Sequence, residues 1–153
     1  MPPWLLRGTG MGVLHAVAAT LLAKVAVNSP TDTITTRVVT IALLVGAAAL
    51  WSALDGWLRH RDPGRTWFAG ALLAGVVAPI LSTIGRAVFV DQTGIGTFFD
   101  EFLGTFAFTA LLVLVPAGLG LFVGGRIGKA PGEREPERPK PSPGPKAKPG
   151  PAA

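Results

Sequence analysis

Between Leu103 and Arg126 the chain reads LGTFAFTALLVLVPAGLGLFVGGR, an apolar run with no ionisable group before its last residue. At a rise of roughly 1.5 Å per residue, a helix of this length crosses a bilayer core of about 30 Å. A surface helix in a water-soluble protein has one face to bury and one to keep polar, so it has no use for such a run. Three earlier stretches have the same character, and the spacing predicts spans over about 4–27, 38–58, 67–90 and 103–125. The expected fold is an all-α membrane protein, with a four-helix transmembrane domain over 1–130 and a tail over 131–153.

Composition agrees. Hydrophobic residues make up 49% of the chain and charged ones 15%, too apolar a balance for an ordinary soluble domain of 153 residues. With no Cys, thiolate catalysis, disulfides and Cys-ligated zinc or iron–sulfur centres are excluded. The net charge of +5 raises nucleic acid as a partner, but half of the 14 Lys and Arg lie from Arg126 to Lys148 and most others cap apolar runs. That placement suits anionic lipid headgroups, so the expected partner is the bilayer and not nucleic acid.

The first span holds Arg7 and Lys24 near its ends and His15 inside it. Two alternatives stand beside a span: a signal peptide, which Lys24 disfavours, and a helix lying in the interface, which scattered polar positions disfavour. A polar loop, NSPTDTITTR at 28–37, leads to the second span, which is apolar or small until Asp55. The cluster RHRDPGR at 59–65 turns the chain into the third span, which contains Pro79 and Arg86. Residues 91–102, DQTGIGTFFDEF, hold three acids and no base. From Pro131 the chain has eight Pro among Lys, Arg, Glu, Ser and Gly, with nothing to bury, and is expected to be disordered. Its Pro-x-x-Pro spacing is either a groove-type recognition motif or a by-product of composition.

Four spans put both termini on one side, together with Arg7, Arg59, Arg61, Arg65, Arg126 and Lys129. The opposite side offsets Lys24, Arg37 and Arg86 with Asp32, Asp91, Asp100 and Glu101. The positive-inside bias therefore predicts a multi-pass protein of the inner (cytoplasmic) membrane with both ends cytoplasmic.

Helices already in lipid gain nothing further from apolar burial, so close packing at small residues must hold them together. Such residues recur at four-residue spacing: Gly8, Gly12, Ala16 and Thr20; Ala42 and Gly46; Ala71 and Gly75; Gly120, Gly124 and Gly128. Pro79 and Pro116 each free a mid-span carbonyl, either as a substrate-site interruption or as an ordinary membrane kink. His15 is the one titratable group near mid-bilayer. It is either a proton-exchanging functional centre or a neutral imidazole hydrogen-bonded to Thr or a backbone carbonyl of a neighbouring helix. Asp55 lies at the depth of Arg7, which points to an ion pair between them. Arg86 and Lys24 sit near enough to the boundary to snorkel, with Asp91 as a partner for Arg86. The transport candidates are thus His15, Asp55, Pro79, Arg86 and Pro116. No nucleophile–base order, metal cluster or phosphate-binding glycine loop occurs, so neither an enzyme nor a cofactor is expected.

Residues 4–25 (WLLRGTGMGVLHAVAATLLAKV), 51–60 (WSALDGWLRH), 85–94 (GRAVFVDQTG) and 107–120 (AFTALLVLVPAGLG) resemble a group of small actinobacterial membrane proteins. That group is commonly assigned to the bacterial four-helix branch of the drug/metabolite transporter superfamily. The resemblance covers roughly 4–125 and implies a small transporter, which would work as a homo-oligomer because four helices barely enclose an aqueous path alone. The four-helix multidrug pumps of that superfamily use a glutamate in the middle of their first span. Here that span has no acid, and His15 is the nearest polar candidate. The strong charge bias implies that a dimer would be parallel. The alternative is a non-transporting membrane protein that scaffolds or regulates a larger membrane partner.

Overall fold

The computed structural model describes residues 2–58, 62–90 and 98–127. Four helices fill them: α1 (Pro3–Asn28), α2 (Thr33–Trp57), α3 (Pro63–Phe89) and α4 (Phe98–Ile127), with a single 3-10 turn, Pro30–Asp32, between α1 and α2. All four are long and apolar enough to cross a membrane. The tail from 131 onwards, with its Pro-x-x-Pro spacing, and Gly128 lie outside the described residues.

The helices overrun the apolar spans, because the polar residues at their ends are helical as well. The expected loop at 28–37 shrinks to Ser29 and the 3-10 turn; Thr33, Thr36 and Arg37 already belong to α2. Hydroxyls satisfy themselves along the way: Thr36 donates to the Asp32 carbonyl at 2.9 Å and Thr40 to the Thr36 carbonyl at 2.7 Å. At the start of α3, Asp62 takes a left-handed conformation (φ 49°) and Pro63 follows as the first helical residue, where its missing N–H costs nothing.

Successive helices run antiparallel, so the described ends at Pro2 and Ile127 share one end of the bundle, the terminal end. The 3-10 turn marks the opposite end. Packing does not follow chain order. α1 packs chiefly on α3 and α2 on α4, and α3 against α4 joins the two pairs, while α1 and α2 barely meet. Small residues make those contacts, as membrane packing requires. The buried core is Met11, Ala48, Trp67, Ala71, Ala74, Val113 and Ala117, with Trp51 edge-on to Trp67 at 6.1 Å. Leu, Val, Ile and Phe side chains dominate the outside, among them Leu43, Phe68, Val88, Leu111 and Phe122, all more than half exposed. An apolar exterior over a small-residue core is the inverse of a water-soluble bundle, and it fits contact with a lipid bilayer.

The small-residue lines sort into packed and unpacked. A Cβ on Gly8 would stand 2.8 Å from the Gly70 carbonyl, one on Gly12 2.8 Å from Val77, and one on Gly75 2.9 Å from Phe106. At Gly120 and Gly124 it would run into the carbonyls of Ala49 and Ala53. Gly46 corrects the expectation for α2: nothing lies within 4 Å of its Cβ position, and both it and Ala42 are exposed. The α2 face that packs is instead Ala48, Ser52 and Gly56, about 200° around the helix from Gly46 at the step from 46 to 48.

Candidate functional site

The two ends of the bundle differ. At the terminal end, Arg7 of α1 meets Asp55 of α2, as their matched depth implies. The guanidinium donates through Nε at 2.5 Å and Nη2 at 2.6 Å, a two-point pairing with one carboxylate. Trp67 of α3 adds its indole N–H to the same carboxylate at 2.8 Å, and Arg7 also donates to the Pro3 carbonyl at 3.1 Å. Arg7 is 7% exposed and Asp55 4%. Three helices are tied at one carboxylate, with the Ala-rich core above it. Trp67 was not singled out from the sequence, where it only marks the start of the third span.

Toward the opposite end the helices part around a cavity of about 530 Å³, to which all four contribute. His15 of α1, Arg37 of α2 and Arg86 of α3 line it, with Thr105 and Thr109 of α4. Apolar wall comes from residues such as Leu22, Ile41, Leu44 and Leu112. Depths follow from the packing. Gly85 abuts Thr20, so its neighbour Arg86 lies near the level of Thr20 on α1. His15 is five residues deeper, about 7.5 Å at helical rise. Arg37 sits one turn into α2 from the 3-10 turn. The arginines thus stand toward the mouth and His15 toward the floor.

His15 is 6% exposed. Its Nδ1 pairs with the Met11 carbonyl of its own helix at 2.8 Å, not with a neighbouring helix as one sequence reading had it. A carbonyl only accepts, so Nδ1 carries the proton and donates. Nε2 is then left with its lone pair; it is buried and has no hydrogen-bond partner. The Nε of Arg86 is buried and unpartnered too. The expected tie from Arg86 to Asp91 involves a residue outside those described. Unsatisfied buried polar atoms are uncommon, and two of them on residues lining one cavity mark it as the candidate site.

The other transport candidates lie elsewhere. Asp55 is at the far end in its ion pair. Pro79 is buried and cannot donate to the Gly75 carbonyl, and at that level α3 packs on Phe106 of α4. Pro79 itself does not line the cavity; Ala78 and Ser82 of α3 do. Pro116 is buried next to the core residue Ala117 and does not line the cavity. Of the five candidates, His15 and Arg86 come together, and Arg37 joins them. Arg37 gave no sequence signal beyond that of a span boundary, since nothing local says which helix end faces which. No protein-family model matches the chain, and no curated protein sequence matches it either.

Proposed function

We propose that the protein is a small transmembrane transporter, oriented with both ends cytoplasmic in the inner membrane, that admits its solute to the cavity above His15. One observation carries this reading: the cavity reaches a buried titratable side chain from one end of the bundle, while among the described residues the other end is packed with the Ala-rich core and the Arg7–Asp55–Trp67 cluster. A site open to one side and sealed from the other is what alternating access needs in one of its two states. The charge bias of the sequence makes the open side external. The resemblance to the four-helix drug/metabolite branch points the same way, with the departure that the first span lacks the glutamate of the related pumps and has His15 as its nearest polar candidate. The Nε2 of His15, which has no hydrogen-bond partner, is the atom that would gain a proton. Four helices enclose a narrow path, so the working unit is a homo-oligomer, and the exposed small face at Ala42 and Gly46 leaves room for a second helix to approach.

The test is a survey of solute flux in reconstituted vesicles, followed by His15→Gln on the solute found. Glutamine keeps hydrogen bonding and cannot titrate. Loss of pH dependence with normal recovery of folded protein is the expected result. Flux and pH dependence both unchanged would remove His15 from the mechanism. A survey with no flux, together with a stable complex with a larger membrane protein, would favour the scaffold reading.

A further inference from the structure

The cavity has a chemical sign. Two of the residues lining it are arginines from different helices, Arg37 of α2 and Arg86 of α3, and no Asp or Glu among the described residues lines it. Arginine does not lose its proton under ordinary conditions, so both positive charges persist whatever the pH. In a low-dielectric bundle, cations around one space raise the local concentration of anions. Arg86 lines the cavity, and its planar guanidinium is matched in shape by carboxylate and phosphate oxygens. Thr105 and Thr109 on α4 add hydroxyl groups to the lining. Below the arginines the wall is mainly apolar down to His15, over about 7.5 Å. An inorganic ion would fill the charged mouth and leave that wall uncovered. An organic anion would fill both, and the volume lies within the ordinary range for small-molecule sites.

The geometry points to a site for an amphipathic organic oxyanion, a carboxylate or phosphate held by Arg37 and Arg86 with its apolar body reaching down toward His15. This rests on reading the cavity as a solute site, and it names the class of solute. The inference also separates this chain from an exporter of cationic compounds, because two fixed positive charges line the cavity with no described carboxylate beside them. The same headgroup chemistry has two sources, a water-soluble organic acid or an anionic lipid whose headgroup enters from the leaflet.

Binding to the full chain in a neutral detergent tests the idea without requiring transport. The probes are 1-naphthoate and its uncharged analogue 1-naphthamide, which share an apolar body and differ in charge. Naphthoate is expected to bind at least tenfold more tightly than the amide. Arg86→Gln and Arg37→Gln should each remove most of that preference by weakening naphthoate far more than the amide, and Arg86→Lys should retain part of it. Arg37 is exposed, so its variant keeps the test alive if Arg86→Gln does not fold. A second arm compares nanodiscs of phosphatidylcholine with and without phosphatidylglycerol. Phosphatidylglycerol retained by the wild type and released by both glutamine variants, with no naphthoate binding, would uphold the oxyanion site and assign it to lipid. Equal affinity for naphthoate and naphthamide, a preference untouched by either variant, or no binding of naphthoate and no retention of phosphatidylglycerol would overturn it. Naphthoate binding in a protein that moves no solute would leave the anion site standing and end the transport reading. Flux of an uncharged or cationic solute with no anion binding would do the reverse.

Discussion

Replacing Asp55 with Ala should destabilise the bundle at its terminal end. The carboxylate accepts from Arg7 Nε at 2.5 Å, Arg7 Nη2 at 2.6 Å and Trp67 Nε1 at 2.8 Å, so one truncation strands three donors. Breaking a buried pair by removing one partner costs about 3–5 kcal/mol, because the surviving charge stays out of water. Arg7 retains the Pro3 carbonyl and lies one turn from the start of α1, so it has a short route to the headgroup region. That route lowers its share to about 2 kcal/mol, and the orphaned indole N–H adds about 1 kcal/mol. The expected loss is about 3 kcal/mol. Arg7→Met should cost about 2 kcal/mol, and Arg7→Met with Asp55→Ala should cost less than the two separately by about 2 kcal/mol, since the double variant strands no charge. The assay is equilibrium unfolding of the four chains by titration of SDS into mixed micelles. Costs that simply add, or an Asp55→Ala penalty under about 0.5 kcal/mol, would show that the two side chains do not depend on each other, and the account of the closed end would fall.

Gly124→Leu should lower stability by at least about 2 kcal/mol, because the Ala53 backbone carbonyl that its Cβ would strike cannot rotate aside as a side chain can. Gly46→Leu should leave the isolated bundle within about 0.5 kcal/mol of wild type, since its Cβ meets open space; similar losses at both glycines in the same titration would refute the assigned packing faces. Compartment reporters fused at Thr35, Gly64, Gly96 and Pro149 should report Gly64 and Pro149 cytoplasmic and the other two external, and an external signal from Gly64 would reverse the orientation. A chain ending at Ala130 should reach the membrane in normal yield with unchanged stability, as the removed residues carry no apolar surface to bury; a fall in either would mean that the tail is held by the bundle or by a partner.

The four helices were legible because a span is a local property. Length and continuous apolarity over one stretch decide it, whatever lies beside that stretch. The Arg7–Asp55 pair was legible for a related reason, since depth along an antiparallel bundle follows from counting residues from the span ends. Around the helices the sequence fell silent. In water the polar face of a helix marks its outside; in lipid both inside and outside are apolar, so hydropathy does not say which face is which. Gly46 and Gly124 look alike in sequence, and they differ only in that Ala53 lies against one and nothing lies against the other. Arg37 and Arg86 each read as a charge at a boundary. Only the tertiary pairing of α1 with α3 and α2 with α4 brings them to one cavity above His15, because a site shared among four helices is fixed by how those helices are rotated against each other, and no single stretch of chain carries that rotation.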